Sequence, residues 1–150
     1  MTLVLVIFAL SMWMAAKANA QVTINNGGWG RTFNFTTAVA GSEPAPQSNA
    51  LTTISYQGLG AAKIGKITVL ASGSGIWHSM SVVAINLTST KGTPGVAQTV
   101  TLQNGVASDF ITAISANAKN CTGNIQYTSS PLFSEGSGTC TYSITYTLTQ

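Results

Sequence analysis

The sequence predicts an all-β protein: a small immunoglobulin-like or pilin-like β-sandwich of about seven to nine antiparallel strands. Three observations support this fold class. Apolar residues alternate with polar ones along most segments, which is the period-two pattern of strands. Short stretches rich in Gly, Pro and Asn separate these segments and predict turns. Only 6% of the residues are charged, so uncharged polar residues must cover the surface, as they can on exposed sheet faces.

The strands follow one another with little between them except turns. One segment, 108–119, fits either a short helix capped by Ser108 or Asp109 or a strand followed by a loop. Asn104-Gly105 predicts a tight turn. The clearest period-two segments are 33–39, 54–56, 64–71, 80–87, 100–102, 125–127 and 142–148.

Residues 1–20 have the form of a secretory signal peptide. The apolar run 2–16 is followed by the small-x-small site Ala18-Asn19-Ala20, where signal peptidase would cleave. The run is shorter than the roughly 20 residues that a membrane-spanning helix needs; the alternative is a retained apolar helix. We therefore predict a single secreted domain, residues 21–150, without a stable membrane span after signal removal.

The two cysteines and the sequons are candidates for covalent modification. In an exported chain, an even pair such as Cys121 and Cys140 predicts a disulfide; the alternative is two free thiols. Three Asn-x-Ser/Thr sequons make Asn34, Asn86 and Asn120 candidate glycosylation sites.

Nothing in the sequence favours an enzyme or a cofactor. The predicted domain has three carboxylates, Glu43, Asp109 and Glu135, and one histidine, His78. No nucleophile motif, phosphate-binding loop or metal-ligand spacing accompanies them, so we predict no catalytic and no metal site. The basic residues are scattered along the chain, whereas nucleic-acid binding requires clustered Lys and Arg.

The sequence does not show which strands pair with the two edges of the last predicted strand, 142–148. Its apolar residues alternate with Ser and Thr, and it carries no charge or proline to protect an exposed edge. We expect it to lie between two strands of its own domain or to accept an extended segment from another molecule. The candidate acceptor residues are Tyr142, Ile144, Tyr146 and Leu148. The N-terminal arm 21–40, extended and hinged by glycines, could supply such a segment, with candidate donor residues Val22, Ile24, Phe33, Phe35 and Val39.

Taken together, the signal peptide, the Thr- and Gly-rich sandwich, the cysteine pair, the N-terminal arm and the final alternating strand resemble secreted pilins assembled by donor-strand exchange. They are also similar to biofilm-matrix fibres and archaeal bundling pili. Unlike in chaperone–usher pilins, both cysteines lie late in the chain. The resemblance implies a structural subunit of a cell-surface filament that polymerises with identical subunits and takes part in adhesion or biofilm formation. A chain that paired every sheet margin internally and folded residues 31–40 onto its own body would exclude this function.

The alternative function is a monomeric secreted carbohydrate-binding or adhesin module. Trp29 and Trp77 both follow Gly-rich stretches and could stack on sugar rings. The competing interpretation places each tryptophan in the core or in an interface.

Overall fold

The computed structural model describes residues 21–25, 32–35, 41–58, 60, 63–75, 77–136 and 138–149. The predicted signal peptide, Trp29 and Val39 lie outside these residues. The described chain is all-β and forms two antiparallel sheets. The strands are β1 (Val22–Asn25), β2 (Gln47–Tyr56), β3 (Gly65–Gly75), β4 (Met80–Thr88), β5 (Val96–Ala97), β6 (Val100–Thr101), β7 (Ala107–Ile114), β8 (Cys121–Ser129) and β9 (Cys140–Thr149).

The strand order puts β8 in the interior of the first sheet and β9 at the margin of the second. The first sheet runs β1-β2-β8-β4-β6 and the second β5-β7-β3-β9. In the first sheet, Ser129 of β8 is paired with Gln47 on one side and with Met80 on the other. In the second, β9 is paired with β3 over ten residues. The longest and most regular strand pairing of the second sheet therefore involves its marginal strand.

The core lies between the sheets and follows the alternation seen in the sequence. Ile67, Val69 and Ala71 of β3 are fully buried, while the residues between them are more exposed. Ile54 and Ile125 meet them from β2 and β8, and both are also fully buried. Burying side chains of this size contributes roughly 1.5–3 kcal/mol each, so these alternating positions hold the two sheets together.

The strand directions define two ends of the sandwich, which we name the rim end and the base end. The rim end is where β8 finishes and β9 starts; it includes residues 77–79 and the described residues of 130–139. The base end is where β8 starts and β9 finishes. It includes 89–95, 115–120 and the described residues of 57–64, which are joined by backbone hydrogen bonds such as Gly58 N to Ala118 O, 2.8 Å.

The helix considered for 108–119 is not formed. Strand β7 takes up the first part of this segment, and a turn follows it. An irregularity in the β3–β7 register lets the adjacent residues Phe110 and Ile111 both be buried, which produces the non-alternating pattern that resembled a helix. The one helical element in the described residues is a 3₁₀ turn, Phe133–Glu135, in a segment predicted as a loop.

The predicted disulfide is also absent, and the fold explains why. Cys121 begins β8 at the base end, and Cys140 begins β9 at the rim end. Eight residue steps of β8 separate the two ends by about 26 Å, whereas a disulfide requires Cα atoms within about 7 Å. Both cysteines are free thiols. A hairpin of the last two strands is excluded as well, because β8 and β9 belong to different sheets.

Candidate functional site: a groove beside the last strand

The outer edge of β9 is open. Strand β3 pairs with one side of β9 along its whole length, and among the described residues no strand pairs with the other side. Tyr142, Ile144 and Leu148 are half-buried and Tyr146 is buried, while the Thr and Ser residues between them are exposed. The edge therefore presents main-chain donors and acceptors without a charge, a proline or a bulge to discourage pairing.

The first sheet is incompletely covered on the same side. Strand β1 contacts β9 and pairs only with the base half of β2, from Val22 opposite Tyr56 to Asn25 opposite Thr53. The rim half of β2 has no described strand on that side. A groove of about 1210 Å³ opens between the two sheets there and extends along β9.

The groove is apolar with hydroxyl groups in its lining. Tyr127 and Tyr146 hydrogen-bond through their hydroxyls at 3.0 Å, and burial raises the pKa of Tyr146 above its ordinary value. Thr52 also lines the groove. Its Oγ1 is buried and has no hydrogen-bond partner among the described residues, which is costly in an apolar setting.

Residues 32–35 of the same chain lie in this groove. Phe33 and Phe35 line it and are half-buried, and Phe33 packs against the core. The Gln47 side-chain amide donates a hydrogen bond to Asn34 O, 2.7 Å. These residues are not a strand and form no ladder with β9. Residues 32–35 thus fold onto their own chain, which is one of the two conditions that together would exclude a filament. The other condition, pairing of every sheet margin, is not met at β9 in the described chain.

The carboxylate of Glu135 contacts His78, Ser79 and Leu132 at the rim of the groove, and we name this set of contacts the brace. Oε1 of Glu135 accepts hydrogen bonds from the amide and the hydroxyl of Ser79, at 2.9 and 2.5 Å. Oε2 of Glu135 accepts from Leu132 N at 3.0 Å and lies 3.3 Å from His78 Nδ1. Burial by itself raises the pKa of Glu135, but these hydrogen bonds outweigh it and hold the pKa below its ordinary value.

Glu43 reinforces the same rim from another part of the chain. Its Oε2 accepts a hydrogen bond from Phe133 N at 2.6 Å, and Phe133 lines the groove. The sequence places Glu43 and Glu135 in separate loops and gives no sign that they converge. Their meeting at one rim depends on the strand order, which no local pattern reveals.

The brace does not have the geometry of a catalytic triad. A Ser-His-acid triad requires a hydrogen bond between the serine hydroxyl and the histidine. The Ser79 hydroxyl donates to Glu135 instead, and His78 Nε2 lies 3.3 Å from Gly138 O. In the described chain no group of three or more His, Cys, Asp or Glu residues could hold a metal ion. The brace joins the 3₁₀ turn Phe133–Glu135 to Ser79, just before β4.

Trp77 packs against its own domain. Its ring meets Tyr142 edge-on, with centroids 4.7 Å apart. It also lies over Gly73, where an added Cβ would come within 2.6 Å of Trp77 Cζ3. This packing favours the core interpretation of Trp77 over stacking on a sugar.

The remaining candidate residues are distributed over the molecule. Val22 and Ile24 belong to β1, which pairs with β2 of the same chain. Their part in a donated strand stays a prediction. The sequon residues Asn34, Asn86 and Asn120 are exposed, and the last two have φ of 56° and 48°. Their glycosylation stays a prediction.

None of the helical residues in the described ranges forms a helix of the length and hydropathy that crossing a bilayer requires. Comparison of the chain with protein-family models, with curated proteins and with solved structures found no match.

Proposed function

We propose that this protein is a structural subunit of an extracellular filament whose copies polymerise head-to-tail by strand donation. In this proposal the sandwich is pilin-like and lacks one marginal strand beside β9. The connection between β1 and β2 of one copy, including Phe33 and Phe35, fills the groove of the next copy. The single observation that carries the proposal is the open, uncharged edge of β9 directly beside an apolar groove.

The energetics favour exchange between copies. Within one chain, residues 32–35 bury parts of two phenylalanines but gain no ladder hydrogen bonds with β9. A donated segment that pairs with β9 adds main-chain bonds worth about 1 kcal/mol each and buries the same side chains. Because the groove of each receiving copy differs from the segment that it donates, the contact is head-to-tail, and it builds a filament when the rotation between successive copies does not close a ring.

The connection is long enough to reach a neighbour. Asn25 ends β1 and Gln47 begins β2, so 47 − 25 − 1 = 21 residues lie between them. A segment of this length that extends and returns can reach about 35 Å at roughly 3.3 Å per residue. The sandwich measures about 26 Å along β8, so the connection can enter the groove of a copy stacked on one end.

The low fraction of charged residues also supports assembly of identical copies. Monomeric proteins usually carry about 25% charged residues, and this chain has 6%. With so few charges, identical copies repel one another weakly. The predicted signal peptide supports secretion, which is tested by determining whether the native protein begins at Gln21.

Mixed cysteine variants test the donation directly. Phe35→Cys and Ile144→Cys are made separately in a Cys140→Ser background, assembled together and oxidised. We expect disulfide-linked dimers that contain one copy of each variant. Leu51→Cys, which replaces a side chain that is 67% exposed, serves as the control in place of Phe35→Cys and should give no such dimer.

A chain that carries both Phe35→Cys and Ile144→Cys completes the test. Donation between copies predicts a ladder of cross-linked oligomers. If only internally cross-linked monomers form, the segment stays in its own groove and the proposal is wrong. The alternative, a monomeric carbohydrate-binding or adhesin module, predicts a soluble monomer with measurable glycan affinity.

A further inference from the structure

The described lysines gather towards the base end. Lys63 precedes β3, and Lys91 and Lys119 lie in the turns of the base end. Lys66, near the start of β3, forms an ion pair with Asp109 at 2.8 Å. Of the Lys, Arg, Asp and Glu side chains in the described ranges, those at the base end are therefore positive, and the charges of the nearby Lys66–Asp109 pair cancel each other.

Two of these lysines are held side by side. Lys91 and Lys119 form an isolated antiparallel bridge, with Lys119 N donating to Lys91 O at 2.9 Å. Both residues are exposed, and neither belongs to an ion pair of the described chain. Like charges placed directly opposite each other are destabilising. The fold thus maintains a local excess of positive charge that a partner of opposite charge would relieve.

The rim end carries the opposite sign. Glu43 and Glu135 both lie there, and their hydrogen bonds to main-chain amides keep them in place. The pKa of Glu135 is lowered, so it is ionised at neutral pH. His78 is the one other ionisable residue of the described rim brace and lies against Glu135.

Exposed apolar side chains accompany the charges at both ends. Ile64 at the base end is 72% exposed, and Leu132 and Phe133 at the rim end are 43% and 53% exposed. An interface commonly combines apolar contact area with a charged periphery. Each end therefore presents apolar contact area together with charge, and the signs of the two ends are complementary.

We propose that the base end of one copy docks on the rim end of the next, through charge complementarity between Lys91 and Lys119 on one side and Glu43 and Glu135 on the other. The partner is a second copy of this chain. The inference rests on the proposed function in that it describes the junction between successive subunits of the filament. It adds that charge orients the incoming subunit before the strand is donated, since opposite charges steer association and reject the reversed orientation.

Charge variants with a matched control test this junction. Lys91→Gln/Lys119→Gln removes two positive charges from the base end. Leu51→Glu/Thr53→Glu changes the net charge by the same amount at exposed positions near the middle of β2. At low ionic strength we expect the first variant to elongate at least about tenfold more slowly than the wild type and the second to elongate much less slowly. The difference should shrink at 0.5 M salt, where screening is strong.

A mixing experiment tests whether two variants with altered charges, each slow to assemble alone, assemble when they are combined. Lys91→Glu/Lys119→Glu makes the base end negative. Ser42→Lys/Ser134→Lys/Thr139→Lys places three positive charges at exposed positions of the rim end, which outnumber the two negative charges of Glu43 and Glu135 and make this end positive. Each variant alone should assemble slowly, and an equimolar mixture should assemble at close to the wild-type rate because every junction then joins opposite charges. Circular dichroism of each variant verifies that it is folded.

The outcomes separate this inference from strand donation. Filaments that form donor cross-links but elongate independently of salt and of these charges would overturn the docking of the two ends alone. Salt-sensitive association that responds to the charge variants without donor cross-links would support the docking and refute donation. A wild-type protein that sediments as a monomer at every salt concentration would refute both.

Discussion

Glu135 and Ser79 are joined by two hydrogen bonds, because one carboxylate oxygen accepts from both the amide and the hydroxyl of Ser79, at 2.9 and 2.5 Å. Fifty-six positions separate the two residues in the chain. The contact fixes the rim of the groove against the start of β4. The position of this rim therefore depends on Glu135, together with Glu43, which accepts a hydrogen bond from Phe133 N of the same 3₁₀ turn.

Replacing Glu135 by Gln should loosen this rim. A hydrogen bond to a charged acceptor contributes roughly 1.5–3 kcal/mol, and we expect Glu135→Gln to lower the free energy of unfolding by about that amount at pH 7. Urea titrations give the measurement. Asp109→Asn, which removes an exposed carboxylate from a surface ion pair, should cost less than about 1 kcal/mol.

The pH dependence of stability follows from the same residue. The pKa of Glu135 is lower in the folded state than its ordinary value. Its contribution is therefore present above the ordinary pKa of a glutamate, about 4.3, and is lost as the pH falls through the lower, folded-state pKa. The wild type should lose stability over this acidic range, and Glu135→Gln should lack that part of the slope. Parallel pH profiles of the two proteins would contradict the assignment.

Thr52→Val should stabilise the protein. The Thr52 hydroxyl is buried and has no partner among the described residues, and valine has nearly the same shape without the cost of desolvating a hydroxyl. We expect an increase of about 1 kcal/mol in the free energy of unfolding. Thr53→Val on the exposed face is the matched control, with an expected change within about 0.5 kcal/mol. A loss of stability in Thr52→Val would mean that its hydroxyl is hydrogen-bonded.

Gly73→Ala should disturb the packing of Trp77. The added methyl group would lie 2.6 Å from Trp77 Cζ3 and 2.9 Å from Cε3, so the indole must move. Overpacking of this kind costs about 1–3 kcal/mol, and the near-ultraviolet circular dichroism of tryptophan should change with it. Ser72→Ala, at an exposed neighbouring position, should alter neither. An unchanged spectrum for Gly73→Ala would show that Trp77 does not rest on this glycine.

Local patterns predicted the all-β class and many of the inward-facing residues, because alternation directly reflects which side chains a two-sheet structure buries. The inward residues of β3 and β9 are examples. Strand β4 was harder to interpret: Met80, Val82 and Ala84 are buried, while Val83, Ile85 and Leu87 are half-buried, so both faces look apolar in sequence. The brace at Glu135 could not be predicted, since it joins loops that only the strand order brings together.

The disulfide between Cys121 and Cys140 was predicted from the even number of cysteines in an exported chain. That prediction was wrong because the cysteine count does not tell which sheet each strand joins. Alkylation of the native protein tests the two free thiols. Cys121 is fully buried and burial raises the pKa of its thiol, so it should react only after unfolding, whereas the half-buried Cys140 should react slowly in the folded state. Mass spectrometry of the alkylated peptides distinguishes the two sites. A native protein that resists alkylation at both cysteines even when unfolded, until a reductant is added, would contain the disulfide after all and would require a different placement of β8 and β9.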